Sequence, residues 1–186
     1  MIAELGDQIK NDDWALVSGS QFTIDWQRRL MNFDKHYRYN GDNGGFGVGY
    51  DTPASMGAAL AHKQMGRLSV AIVGDGDLNF SPGSLWTAAH HQIPLLYIVH
   101  NNRAYHAEVM ILQRMCGHRG RGSGNAHIGT TISNPDISYA AMAKAYGMYS
   151  EGPVDHPKDL AGAYRRALER VRKGEPALVE VVAQPR

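Results

Sequence analysis

Short apolar runs rich in β-branched or aromatic residues alternate along the chain with longer segments of helical spacing, and this alternation narrows the possible folds more than any other feature. The runs lie at Trp14–Val17, Ser69–Val73, Pro94–His100 and Ala177–Ala183, each flanked by turn residues or by segments of helical period. Strands this short and this continuously apolar suit a parallel sheet covered on both faces. Helices are expected at Ile2–Asn11, Ala54–Met65, Gly83–His91, Ile137–Tyr146 and Pro157–Lys173. The last carries Leu160, Ala163, Tyr164, Ala167, Leu168 and Val171 on one stripe. The alternation therefore predicts an α/β fold with a doubly wound, mainly parallel sheet and helices on both faces. At 186 residues, 43% of them hydrophobic, the chain is sized for a single domain over residues 1–186.

Charge and cysteine content exclude several classes of function. Nineteen Lys and Arg residues stand against eighteen Asp and Glu, a formal charge of +1, so no global field draws the chain to nucleic acid or an anionic membrane. The single Cys116 excludes an internal disulfide and any four-cysteine zinc or iron–sulfur site built by this chain alone. No apolar run approaches the roughly 18–20 residues that span a bilayer, and the acidic start MIAELGDQIKNDD lacks a signal-peptide core. A cytoplasmic location is expected.

Chemistry concentrates where the run Ser69–Val73 passes into Gly74-Asp75-Gly76-Asp77. Open α/β sheets bind ligands at the carboxyl ends of their strands. A carboxylate there repels a phosphate unless a cation lies between them, so Asp75 points to a metal-bridged phosphate rather than to a bare phosphate turn. Twenty-four residues separate Gly76 from Asn101-Asn102, which end the next expected strand. Carboxylate, amide and carbonyl oxygens suit magnesium, a hard cation. Two glycine-rich stretches, Gly41–Gly49 and Gly117–Gly129, read as loops over a site, since glycine permits close backbone approach; the second also reads as an ordinary surface loop. The histidines at 90, 91, 100, 118 and 127 lack the paired spacing of a zinc site. Arg119 and Arg121 could meet a substrate anion if their loop closes, or could simply be solvated.

Gly-Asp-Gly, an intervening helix and strand, and then Asn-Asn resemble the signature of thiamine-diphosphate enzymes. The surrounding GDGDLNFSPGSLWTAAHHQIPLLYIVHNN resembles the benzoylformate decarboxylase and acetolactate synthase branch, as does GVGYDTPASMGAALA before it. The likeness runs from ALVSGSQ to the terminal PALVEVV and covers the family's diphosphate-binding domain. It implies Mg²⁺ held by Asp75, the Asn102 side chain and the Ala104 carbonyl. It implies thiamine diphosphate contacts at Ser20, Gln21, Gly74, Gly76, Asp77, Leu78 and Tyr105, with Asp77 acidic where many relatives have Ser or Gly. Val48 falls at the apolar wedge that bends the cofactor, bringing its own amino group to the C2 proton. NNRAYHAE resembles the NN-x-x-Tyr-x-x-Glu segment of pyruvate and indolepyruvate decarboxylases, which implies that Glu108 is an active-site glutamate, and His106 is a second candidate proton carrier. Read without the resemblance, Glu108 equally begins a solvated helix and His106 equally makes a satisfied polar contact.

In this family a second, pyrimidine-binding (PYR-type) domain supplies the glutamate that activates the cofactor, and no such domain is expected among these residues. The resemblance therefore implies a split 2-oxo-acid decarboxylase or carboligase, similar in arrangement to sulfopyruvate decarboxylase. Its partner would be a pyrimidine-binding α subunit, in a heterotetramer or larger assembly. The initial Met1 and the end just past the last expected strand fit that arrangement. Two other readings of GDGD remain: the β subunit of a 2-oxo-acid:ferredoxin oxidoreductase, disfavoured by the lone Cys116, and a non-catalytic thiamine-diphosphate-binding regulatory module. A nicotinamide site fares worst, because no G-x-G-x-x-G follows Val73.

Overall fold

A computed structural model describes residues 1–18, 26–41 and 47–183. In chain order the elements are α1 (Ile2–Ile9), β1 (Trp14–Leu16), α2 (Trp26–Leu30), α3 (Asp51–Lys63), β2 (Leu68–Gly74), α4 (Asp75–Phe80), α5 (Gly83–His90), β3 (Leu96–Asn101), α6 (His106–His118), α7 (Tyr139–Ala145), β4 (Tyr149–Val154), α8 (Pro157–Arg172) and β5 (Ala177–Val182). The five strands pair in the order β1-β2-β3-β5-β4, and every pairing is parallel. This is the expected doubly wound α/β architecture.

Both faces are covered because successive residues of a strand point to opposite sides. Val70, Ile72, Leu96, Ile98 and Val179 pack with Leu5 and Ile9 of α1 and with the α8 stripe of Tyr164, Ala167 and Leu168. Their neighbours Ala71, Val73, Tyr97, Val99 and Leu178 pack with Ala59 of α3, Leu85 of α5, and Tyr139 and Ala143 of α7. Truncating one of the fully buried residues, such as Leu96, would cost about 2–5 kcal/mol. Surface ion pairs such as Arg172–Asp12 at 2.8 Å contribute roughly 1 kcal/mol at most.

Two elements depart from the sequence expectation. Tyr149–Val154, which contains Gly152-Pro153, is not among the expected strands, yet it forms β4 at the sheet's edge, where a missing N–H is tolerated. Arg166 clamps this strand to α8 by donating to both carboxylate oxygens of Glu151, at 2.7 and 2.9 Å. The GDGD segment is not a loop: Gly74 is extended (φ −74°, ψ 152°) and Asp75 opens α4 directly. Helix α6, thirteen residues without one buried residue and with Glu108 in its first turn, is the solvated helix that Glu108 suggests when read without the resemblance.

In the last turn of α3, the buried His62 places Nδ1 3.3 Å from the Ser69 hydroxyl. Burial, with nearby Arg67, holds the imidazole below its ordinary value of 6.5. The fold thus favours neutral histidine, a contribution complete above pH 6.5 and lost as the pH falls through the lowered pKa. A His62→Gln chain should show a flatter acid limb of melting temperature against pH below 6.5 than the parent, measurable by a thermal-unfolding series.

Candidate functional site

The site is assembled by the pairing of β2 with β3. Gly74 stands opposite His100 in the parallel register, so Asp75 leaves one strand end while Asn101 and Asn102 leave its neighbour, roughly 5 Å away in the pairing direction. The chain after β3 then turns sharply at Arg103, whose φ of +58° is left-handed, a conformation uncommon for a residue other than glycine. Asn101 Oδ1 accepts from the Arg103 N–H at 3.2 Å, and Asn102 Oδ1 accepts from the Ala104 N–H at 3.1 Å. Arg103 and Ala104 thereby bring their backbone to face the Asp75 carboxylate.

Asp75 is only 2% exposed, and its Oδ2 has no hydrogen-bond partner. Burial pushes its pKa up to about 6, although the N–H groups of Gly76, Arg103 and Ala104 pull the other way. An unpartnered buried carboxylate oxygen costs far more than a surface ion pair returns. The donor set fits Mg²⁺: a carboxylate oxygen without a partner, an amide oxygen with a further lone pair, and adjacent backbone. Among the described residues no three His, Cys, Asp or Glu side chains converge.

The remaining expected residues sort by position. Gly76 lies under the Tyr105 ring so closely that a Cβ there would stand 2.5 Å from its Cε1. Tyr105 in turn meets Phe80 edge-on, with ring centroids 6.0 Å apart. Asp77, which the resemblance puts at the cofactor, turns its side chain into the protein: Oδ1 accepts from the Gly49 N–H at 2.6 Å. Its pKa is raised by burial, against the opposing N–H groups of Gly49, Asp51 and Thr52. Asp77 therefore holds the start of α3 and the loop carrying Val48 against α4. Gly49 also accepts from the Ser81 hydroxyl at 2.9 Å, and its φ of +90° with a would-be Cβ 2.6 Å from Phe80 leaves room for glycine alone.

Val48 itself is 40% exposed beside this clamp, whereas Leu78, within α4, is fully buried in the core. Ser20 and Gln21 lie outside the described residues, as do residues 42–46 of the first glycine-rich stretch. His106 opens α6 half-buried, and Glu108 in its first turn is exposed. The root of α6 is stapled by two backbone hydrogen bonds of 2.7 Å, Tyr105 N–H to Thr130 O and Ile132 N–H to Arg103 O. Sequence reasoning did not single out Glu180, a carboxylate only 1% exposed on β5 that accepts from Asn101 Nδ2 at 2.8 Å.

Residues 20–181 match the family described as thiamine pyrophosphate enzyme, C-terminal TPP binding domain, and the chain belongs to that family. It is 30% identical to benzoylformate decarboxylase of Pseudomonas aeruginosa over 167 residues, covering 90% of this chain and 28% of that protein. It is 31% identical to the acetolactate synthase isozyme 3 large subunit of Escherichia coli over 176 residues, covering 90% of this chain and 29% of that one. A solved Rhodococcus jostii thiamine diphosphate-dependent 4-hydroxybenzoylformate decarboxylase superposes with a TM-score of 0.79 at 26% identity, over 100% of this chain and 33% of that structure. The chain thus spans about a third or less of the length of these relatives. No helix among the described residues is long and apolar enough to cross a membrane.

In the metal-free chain the raised pKa of Asp75 means that ionisation above about pH 6 opposes folding; the favourable contribution belongs to the protonated form and is lost as the pH rises through that value. Asp75→Asn should therefore melt at the same or a higher temperature than the parent at pH 8, a gain of up to roughly 1–3 kcal/mol. The same substitution should abolish Mg²⁺-dependent binding of thiamine diphosphate. Calorimetric titration beside thermal unfolding checks both halves, and retained Mg²⁺-dependent binding would remove Asp75 from the ligand set.

Proposed function

We propose that this chain holds the diphosphate of thiamine diphosphate through Mg²⁺, as one part of a 2-oxo-acid decarboxylase or carboligase. The observation that carries the reading is the unpartnered, buried Oδ2 of Asp75 facing the Asn102–Ala104 turn across paired strand ends. Asp75, the Asn102 side chain and the Ala104 carbonyl would hold the metal. Backbone at Gly74, Gly76 and Asp77, with Ser20 and Gln21, would meet the diphosphate, and Val48 would support the bend. When bound, the cofactor supplies the electron sink that decarboxylation of a 2-oxo acid requires. The 2-oxo-acid class is drawn from the relatives, whose names include benzoylformate decarboxylase and acetolactate synthase.

Completion of the site by a second, pyrimidine-binding α/β body belongs to the same proposal, in an assembly with at least two copies of each. Two observations support it. The chain spans only 28–29% of the curated relatives named above. And α6, rooted at the site, leaves Met110, Ile111 and Met115 exposed at 52%, 62% and 45%, an apolar surface of the kind that marks contact with another body. In this reading Glu108 and His106, on the first turn of that helix, would carry protons to and from the substrate.

The isolated chain should therefore bind Mg²⁺ and thiamine diphosphate yet show little exchange of the cofactor's C2 proton, followed by NMR in deuterated water. Addition of the pyrimidine-binding partner should accelerate that exchange strongly. Rapid exchange and 2-oxo-acid turnover by the 186 residues alone would overturn the split-site reading. In the completed assembly, Glu108→Gln should bind cofactor normally while turnover drops by about 10²–10⁴-fold. Near-normal turnover would shift the proton-transfer role to His106 or to the partner.

A further inference from the structure

The turn that carries Asn102 and Ala104 is not held by local interactions alone. Glu180 lies on β5, 79 residues further along the chain than Asn101, and its carboxylate is buried where α7 begins. One oxygen, Oε1, accepts from Asn101 Nδ2 at 2.8 Å, while the other, Oε2, accepts from the Ala140 N–H at 2.9 Å and lies 3.4 Å from the Ser138 hydroxyl. Gly152 on the neighbouring strand permits this close packing, since a Cβ there would come within 2.8 Å of Glu180. Asn101 is thereby oriented with its amide NH₂ toward Glu180 and its Oδ1 toward the Arg103 N–H, 3.2 Å away. That second bond closes the left-handed turn at Arg103 (φ +58°), in which the N–H groups of Arg103 and Ala104 face Asp75.

We infer that Glu180 is a positioning residue for the metal turn. Acting through Asn101, it fixes the backbone geometry in which Asn102 and Ala104 present their oxygens beside Asp75. The inference rests on the proposal that these three residues hold Mg²⁺, but concerns a residue that touches neither metal nor cofactor. Hydrogen-bond polarity makes it specific. The chain of bonds runs from the Ala140 N–H to a Glu180 oxygen, from Asn101 NH₂ to the other Glu180 oxygen, and from the Arg103 N–H to Asn101 Oδ1. Glutamine at 180 keeps the shape but leaves one N–H opposed to another, at Ala140, at Asn101 or, if the Asn101 amide turns over, at Arg103. Aspartate at 101 sets two carboxylates against each other. Made together, the two substitutions restore every donor to an acceptor and leave the net charge unchanged. The amide placed at position 180 accepts from the Ala140 N–H and donates to the carboxylate placed at position 101, which in turn accepts from the Arg103 N–H.

The experiment is a magnesium titration of thiamine diphosphate binding by calorimetry on the parent chain, Glu180→Gln, Asn101→Asp and the double variant, with the melting temperature of each metal-free chain alongside. Each single substitution should raise the magnesium concentration for half-saturation by about 10-fold or more, the usual effect of disturbing a group that orients a metal ligand. The double variant should return close to the parent. Unchanged magnesium dependence in both single variants would overturn the inference. So would a loss of affinity that tracks melting temperature and is not rescued in the double variant, because that pattern marks general packing. Asp75→Asn in the same series separates the two levels: if it too binds normally, the metal assignment itself fails; if it alone loses binding, only the role of Glu180 does.

Discussion

Parallel pairing of β2 with β3 is the constraint on which the rest of the structure depends. Its register sets Gly74 against His100, and because parallel strands run the same way, the segments leaving them emerge side by side at one edge of the sheet. Apolar residues maintain that register. Val70, Ile72, Leu96 and Ile98 anchor it on one face, and Ala71, Val73, Tyr97 and Val99 on the other. A slip of one residue would reverse both faces at once, so the core that stabilises the domain also fixes the separation of Asp75 from Asn102.

The carboxyl edge of the sheet shows the opposite economy. Asp75 and Asp77 are both buried, each with one oxygen lacking a partner and each with a raised pKa. Their neighbours divide the labour. Asp77 is committed to the Gly49 N–H, holding the glycine loop and the start of α3 onto α4. Asp75 faces the turn after β3, where backbone N–H groups only partly offset the cost of burying its charge. A divalent cation would offset that cost more completely than any hydrogen bond from the chain. A buried carboxylate with an unpartnered oxygen is thus unfavourable to the fold by itself and suited to a cation, in keeping with the trade between stability and function at active sites.

A second tension lies at α6. Its neighbours on either side in sequence are pinned by the Ala104–Thr131 bridge and the hydrogen bonds around it, yet the helix buries nothing of its own. Helices in small domains gain most of their stability from a packed apolar face, and this one offers Met110, Ile111, Leu112 and Met115 to solvent instead. The same segment that carries Asn102 and Ala104 therefore leads directly into an apolar surface left open to solvent.

The amino-acid sequence by itself determined the α/β class, four of the five strands, and the pair of motifs at Asp75 and Asn102, because local period and turn chemistry write those features into consecutive residues. It also carried the family likeness, which the match over residues 20–181 bears out. Tertiary structure decided the rest. An edge strand through Gly152-Pro153 forms because β5 offers it a neighbour, a circumstance that the dipeptide's turn signal cannot convey. Helix α6 has apolar residues on several sides rather than one stripe, so its period carried no signal. Glu180 reads locally as one charge in an apolar strand, and its partners Asn101, Ser138 and Ala140 lie 79, 42 and 40 residues away. Contacts of that kind are set by which strand ends and helix starts the fold brings together, and no short window of sequence contains both sides of them.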